Sequence, residues 1–284
     1  MMKIIKTIQE MQAYSRAQRA AGKSIALVPT MGYLHDGHVS LLHEAKRRGG
    51  LTVMSLFVNP LQFGAHEDLT KYPRDFARDS LIAERAGTEV IFFPDVEEMY
   101  PRPFKTSVYV SDLSDILCGK TRPGHFKGVA TVVAKLFNAV LPQTAVFGEK
   151  DFQQLVILRR MVTDLNVPVE IIGMPIVREQ DGLAMSSRNT YLSMEDRRRA
   201  LCLSRGLSNA LDAFHKGESD GKRLREIVRS DIQSAGLKED YVEVIDETTL
   251  QSVHKVEKSL AARIVVAAYA GNVRLIDNMA LKKE

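Results

Sequence analysis

Cysteine is scarce: Cys118 and Cys202 are the only two in 284 residues. They show no CxxC pairing and no His/Cys spacing. A disulfide scaffold and a zinc site are therefore unexpected, and a reducing compartment is compatible. Long apolar runs are absent too. No stretch approaches the ~18 residues that a membrane span needs. Near the start, Lys3, Lys6, Glu10 and Arg16 interrupt any signal-peptide core. The chain is expected to be cytoplasmic, with no membrane partner. Clusters of basic residues with interleaved aromatics are also missing. The 39 Lys and Arg against 35 Asp and Glu leave a net charge of +4. That is too mild to argue for a nucleic-acid partner and suits an anionic small substrate equally well.

What is present is the balance of a globular protein, with 45% hydrophobic and 26% charged residues. The length fits one large domain or two ordinary ones. Residues 7–21 carry a helical stripe that Gly22 ends. Residues 24–29 are a short continuous apolar run, the pattern of a strand buried on both faces. Helical spacing follows over 37–48, with Lys46, Arg47 and Arg48 in the last turn, where cations suit the helix dipole. Further strands are expected over 51–58, 89–93, 144–147 and 169–172, and further helices over 76–86, 127–140 and 151–165. Segment 94–103 reads as a surface connection. Strands alternating with helices predict βαβ units.

After about residue 176 the texture changes. Helices are expected over 193–215 and 222–235, then strands over 241–245, 263–270 and 273–276, with a hairpin at Gly271-Asn272. No internal repeat is evident. The fold class expected is α/β: a Rossmann-like doubly wound parallel sheet over 1–176, with a second, smaller α+β domain over 177–284.

Three constellations carry chemistry. The first is Pro29-Thr-Met-Gly-Tyr-Leu-His-Asp-Gly-His38, between a buried strand and a helix. Ligands of doubly wound sheets bind outside the carboxyl ends of the strands. Gly32 and Gly37 let backbone approach a phosphate, and the helix start offers unpaired N–H groups. His35 and His38 can donate to phosphate oxygens and stabilise charge that grows there. Two solvated or capping histidines, or a metal site, are the alternatives. No third metal ligand stands at a suggestive spacing.

The second is Gly148-Glu-Lys-Asp-Phe-Gln-Gln154, which also follows an apolar strand and opens a helix. Lys150 is a compact cation suited to a polyphosphate or acyl phosphate. Asp151 reads equally as an N-cap. Gln154 can hydrogen-bond a polar substrate without adding charge. The third, Met185-Ser-Ser-Arg-Asn189, gathers two hydroxyls and a guanidinium after Asp181-Gly182. It fits a loop that closes donors over a triphosphate, and equally an ordinary capped turn.

Together these segments resemble the pantothenate synthetases (pantoate–β-alanine ligases), of the superfamily that holds nucleotidyl transferases and class I aminoacyl-tRNA synthetases. His35-Asp-Gly-His38 is similar to the superfamily's His-Ile-Gly-His signature. Met185-Ser-Ser-Arg188 is similar to its Lys-Met-Ser-Lys-Ser loop. Phe57-Val-Asn-Pro-Leu-Gln-Phe63, Arg122-Pro-Gly-His-Phe126 and Gly148-to-Gln154 also match the family in order and spacing. The match weakens towards Arg274-Leu-Ile-Asp-Asn278.

The resemblance implies ATP-dependent condensation of pantoate with β-alanine through a pantoyl adenylate, releasing AMP and pyrophosphate. ATP is implied as co-substrate, with Mg2+ held mainly by phosphates and water, and a homodimer is expected. By position, the catalytic residues are His38, His35 and Lys150. Those implied for ATP are Pro29, Thr30, Met31, Gly32, His35, Gly37, His38, Gly148, Glu149, Lys150, Asp151, Val177, Met185, Ser186, Ser187 and Arg188. Gln62 and Gln154 are implied for pantoate, and Gln62 and Asn59 for β-alanine. Residues 62–74 are expected to form a flap. The N-terminal domain would bind ATP and pantoate, and the C-terminal domain would cover the site. One rival is a nucleotidyltransferase that passes AMP to a phosphate; a second is a non-catalytic RNA-binding module. Pyrophosphate exchange and a tRNA-binding titration separate them.

Overall fold

The structure, a computed structural model, describes residues 2–64, 67, 69–257 and 259–282. The chain divides into two compact units. One comprises Met1–Glu149 with Ile157–Pro175; the other comprises Lys150–Val156 with Ile176–Glu284. The expected cut after residue 176 is a single break, whereas the short segment carrying Lys150 and Gln154 groups with the second unit.

The elements of the first unit run β1 (Lys3–Ile5), α1 (Ile8–Ala20), β2 (Ile25–Thr30), α2 (Asp36–Arg47), β3 (Leu51–Leu56), α3 (Phe76–Arg85), β4 (Val90–Phe92), α4 (Val96–Met99), α5 (Cys118–Thr121), α6 (His125–Val140), β5 (Thr144–Gly148), α7 (Phe152–Asp164) and β6 (Glu170–Met174). Helix α7 is shared, since 152–156 belong to the other unit. The strands form one parallel sheet in the order β1-β4-β3-β2-β5-β6. After β2 the chain builds outward through β3 and β4, then returns to β2's other edge with β5. The strand order therefore reverses beside β2, and such a switch point opens a crevice at the carboxyl ends.

Right-handed crossovers fix which face each helix covers. The steps β2 to β3 and β3 to β4 run one way, so α2 and α3 share a face. The steps into β2 and β5 run the other way, so α1 and α6 share the opposite face. The packing agrees: α2 touches α3, and α1 touches α6. Leu41, Leu42 and Ala45 of α2 and Ala83 of α3 cluster with Ala26 and Val28 of β2 and with Met54, Leu56 and Ile91. Burying side chains such as Leu41 and Leu42 contributes about 1.5–3 kcal/mol each. All six residues of β3 are buried, Thr52 and Ser55 included, as in a strand covered on both faces. Strand β1 lies at the sheet edge and escapes detection in the sequence, because three residues cannot display a period. Segment 94–103 is more than a connection: Asp95 caps α4, and Met99 and Tyr100 are buried.

The second unit carries α8 (Met194–Ala200), α9 (Cys202–His215), α10 (Gly221–Ser234), β7 (Lys238–Asp246), β8 (Ala262–Ala270) and β9 (Val273–Leu281). The strands form an antiparallel sheet in the order β7-β8-β9. Leu203 and Leu207 of α9, and Leu224, Val228 and Ile232 of α10, recur at helical spacing and pack with Val242, Val244, Ile264 and Val266. Strands alternate inward and outward, so every second residue reaches this core. Ala270 pairs with Val273, leaving Gly271-Asn272 as a two-residue turn. The helix expected over 193–215 is two, separated at Leu201.

Candidate active site

The β2–β5 ladder pairs Ala26 with Thr144 and Leu27 with Ala145, and stops before Pro29. Proline has no N–H to donate, so the strands part at the switch point. On the other side β2 stays joined to β3 through Thr30, whose hydroxyl donates to the Ser55 carbonyl at 2.9 Å. The chain then turns through Met31, Gly32, Tyr33 and Leu34 into α2.

His35 is the N-cap of α2, with extended backbone, and His38 stands in the first turn. The His35 N–H lies 3.3 Å from His38 Nδ1, and the ring centroids are 4.1 Å apart. Because Nδ1 accepts from a backbone donor, the proton of neutral His38 belongs on Nε2. The capping role is thus real. It also orients the ring and selects its tautomer at a site where the helix dipole favours anions.

The turn before α2 is held by side chains the sequence did not single out. Asp79 on α3 is 1% exposed. Its Oδ2 accepts the Tyr33 N–H at 2.7 Å and its Oδ1 accepts the Leu34 N–H at 2.8 Å. Arg78 donates to the Leu34 carbonyl at 2.8 Å, and its guanidinium lies 5.0 Å from the centre of the Tyr33 ring. Gly32 has φ +92°, and a Cβ there would lie 2.9 Å from both Asp79 Oδ2 and Leu56 Cδ1. Glycine is needed both for this conformation and for the close approach.

A second cluster joins two motifs that lie far apart in the chain. Asn59, 1% exposed, caps the short turn Pro60–Gln62 by accepting from the Leu61 N–H. Its amide donates to the Gly128 carbonyl and to Gln62 Oε1, both at 3.1 Å, and its Oδ1 accepts from the Tyr100 hydroxyl at 2.7 Å. Burial pushes the Tyr100 phenol well above its ordinary range, so it stays a donor. The Gln62 amide reaches Met31 Sδ at 3.2 Å, which brings Asn59, Gln62 and Met31 together beside β2.

The Gln62 carbonyl accepts from His125 Nδ1 at 2.8 Å and from Arg122 at 3.4 Å. A carbonyl only accepts, so His125 carries its proton on Nδ1, and its Nε2, 3.1 Å from Arg122 Nη1, accepts from the guanidinium. Arg122 forks onto Glu67 at 2.6 and 2.5 Å. Burial alone would raise the Glu67 carboxyl, but the Arg122 guanidinium overcomes it and holds the group below its ordinary value. The expected flap over 62–74 includes Ala65, His66 and Asp68, which lie outside the described residues.

Gly148 closes β5, and Glu149 opens the turn Glu149–Asp151. In the second unit, Lys150 Nζ stands 3.7 Å from the Asp151 carboxylate. The Lys150 carbonyl accepts from Asn278 of β9 at 3.1 Å. Asn278 in turn accepts from Arg263 at 2.5 Å; Arg263 also bonds Glu247 at 2.9 Å and lies 4.0 Å from the centre of the Phe152 ring. Gln154 is half-buried on α7.

Val177 and Met185 are joined by a backbone bond of 3.0 Å and flank a tight hairpin. Arg178 ties this hairpin to Asp277 through two bonds of 2.6 and 3.0 Å. Ser186 caps the short helical turn Ser187–Tyr191 by accepting from the Arg188 N–H at 3.3 Å, and Ser187 is buried. The third constellation is therefore a capped turn. Among the described residues, no three His, Cys, Asp or Glu side chains are grouped to hold a metal ion, and no helix is long and apolar enough to cross a membrane.

A doubly wound parallel sheet, opened at its switch point and bearing an oriented histidine pair at a helix N-terminus, defines an α/β protein that binds an anionic ligand at the sheet's carboxyl edge. The family model for pantoate-beta-alanine ligase matches residues 3–280. The pantothenate synthetase of Syntrophus aciditrophicus is 52% identical over 284 residues, covering 100% of this chain and 99% of that protein. That of Geobacter sulfurreducens is 53% identical over 285 residues, covering 100% of both. A solved pantothenate synthetase from Thermus thermophilus superposes with a TM-score of 0.93 at 43% identity, covering 99% of this chain and 100% of that one. The pantoate-β-alanine ligase of Francisella tularensis, complexed with beta-gamma ATP and β-alanine, superposes with a TM-score of 0.82 at 32% identity, covering 99% of this chain and 98% of that one. The chain belongs to the pantoate–β-alanine ligase family, enzymes that join pantoate to β-alanine in an amide bond.

Proposed function

We propose that this chain drives the amide-forming reaction with ATP, through a pantoyl adenylate. The observation that carries the reading is the His35–His38 pair, whose capping contact orients His38 and leaves its proton on Nε2 at the start of α2. A carboxylate is a poor electrophile. Adenylation cures this: a pantoate oxygen attacks the α-phosphorus of ATP, and the bond from that phosphorus to pyrophosphate breaks. The neutral amine of β-alanine then attacks the acyl carbon; the carbon–oxygen bond to AMP breaks, and the amine gives up a proton. Both steps depend on positioning anions against each other with donors and cations at the phosphates.

In this reading His38 donates to the phosphate as charge develops, and His35 and the backbone of 29–38 hold the nucleotide. Lys150 neutralises phosphate charge. Gly148, Glu149, Asp151, Val177, Met185, Ser186, Ser187 and Arg188 contribute further nucleotide contacts. Gln62 and Gln154 hold pantoate, and Asn59 and Gln62 receive β-alanine. Support for Gln62 comes from its fixed backbone, held by Arg122 and His125 while its side chain reaches the Met31 sulfur. Mg2+ enters with ATP as part of the nucleotide substrate, held by phosphate oxygens and water. The chain works in the cytoplasm, as a homodimer. Its two cysteines are buried thiols, and burial pushes the Cys202 thiol up to about 11, which keeps it unreactive.

The test is exchange of labelled pyrophosphate into ATP without β-alanine. Exchange that requires pantoate is the expected result, followed by AMP release when β-alanine is added. Product formation with no exchange under any substrate combination would remove the adenylate.

A further inference from the structure

We propose that Asp79 is a positioning residue for the adenylation step. It acts through the turn 32–34 to set the register and orientation of His38, and this rests on the reading that His38 acts at the phosphate.

Both Asp79 oxygens are used on consecutive backbone donors of one turn, at 2.7 and 2.8 Å. A carboxylate is costly to bury unless its lone pairs are satisfied. Two amide donors and the Arg78 guanidinium, 3.4 Å away, meet that need. The neighbouring residue completes the clamp from the acceptor side, since Arg78 holds the Leu34 carbonyl. Leu34 is thereby fixed through both its N–H and its C=O, with its side chain fully buried in the core. The next residue is His35. Its backbone N–H is the donor that orients the His38 ring. A continuous chain of contacts therefore runs from Asp79 through Leu34 and His35 to the His38 imidazole.

The bare backbone at Gly32 belongs to the same device. Any side chain there would collide with Asp79 Oδ2. Tyr33 takes a left-handed conformation, φ +53°, which aims its N–H at the carboxylate. Left-handed backbone is unfavourable for a residue with a Cβ and persists where the surroundings impose it. Asp79 and Arg78 are those surroundings.

The experiment is a double-mutant cycle on pantoate-dependent pyrophosphate exchange, using Asp79→Asn, His38→Gln and the double variant, with thermal unfolding followed by circular dichroism. Asn keeps the volume but offers one acceptor where two donors converge. Asp79→Asn is expected to lower the kcat of exchange about 10- to 100-fold, as misplacement of a reacting group does. KM for ATP should change far less. In the His38→Gln background the same substitution should cost little more, because the group it positions is gone. Equal losses in both backgrounds, or an unimpaired Asp79→Asn, would overturn the proposal. A His38→Gln variant at full rate would instead remove His38 from the chemistry, and this role for Asp79 with it. If Asp79→Asn fails to fold, Arg78→Gln replaces it. Its side chain is 43% exposed, and its smaller loss should likewise vanish when His38 is absent; a loss that persists refutes the positioning role.

Discussion

His38 illustrates how much chemistry a single hydrogen bond can fix. Imidazole has two nitrogens and one proton when neutral, and either can carry it. Here a backbone N–H at 3.3 Å occupies Nδ1, so the proton sits on Nε2. Replacing His38 with Ala should lower the exchange rate by roughly 10² or more, the loss typical of a donor at developing charge. The thermal midpoint should stay near that of the parent, since the His38 ring is only partly buried. A near-normal rate in that assay would take His38 out of the mechanism. The two histidines were legible in the sequence because they sit between an apolar run and a helix. Asp79 was not. It stands far beyond His38 in the chain, in a segment read only as a helix, and only folding aims it at Tyr33 and Leu34.

Between elements, the contact that matters most is the seat of the turn Pro60–Gln62 on α6. Gly128 makes it possible. A Cβ there would lie 2.2 Å from the Leu61 carbonyl oxygen and 2.6 Å from the Gln62 nitrogen. Gly128→Ala should therefore force the turn away from the helix at a cost of about 1–3 kcal/mol, as overpacking of a close contact does. It should also loosen the Asn59 bond to the Gly128 carbonyl and raise KM for pantoate. Chemical denaturation and steady-state kinetics check the two effects separately. Unchanged stability would mean that the turn has room to shift. The motifs around Gln62 and His125 could each be seen in the sequence. Their meeting could not, because 63 residues separate the Gln62 carbonyl from the His125 ring that binds it. Arg122 and His125 thus acquire roles that their spacing alone did not suggest.

At the level of the molecule, the family assignment covers nearly the full length, and the proposed homodimer predicts a definite mass in solution. Sedimentation velocity at micromolar concentration should give the mass of two chains. A single-chain mass across the accessible range would remove the dimer from the description. The linear pattern sufficed for the alternation of strands and helices, for the parallel sheet and for the antiparallel second block, because burial on two faces or one imprints a local period on the residues. It also marked His35, His38, Lys150 and the Ser-Ser-Arg turn as candidates, since each lies directly after a strand or hairpin. Strand order, the reversal beside β2, the grouping of Lys150 with the second unit and the buried clamp of Asp79 and Arg78 had no such imprint. They arise from contacts between residues far apart in the chain, and a buried charge becomes recognisable only once the groups that satisfy it are in place.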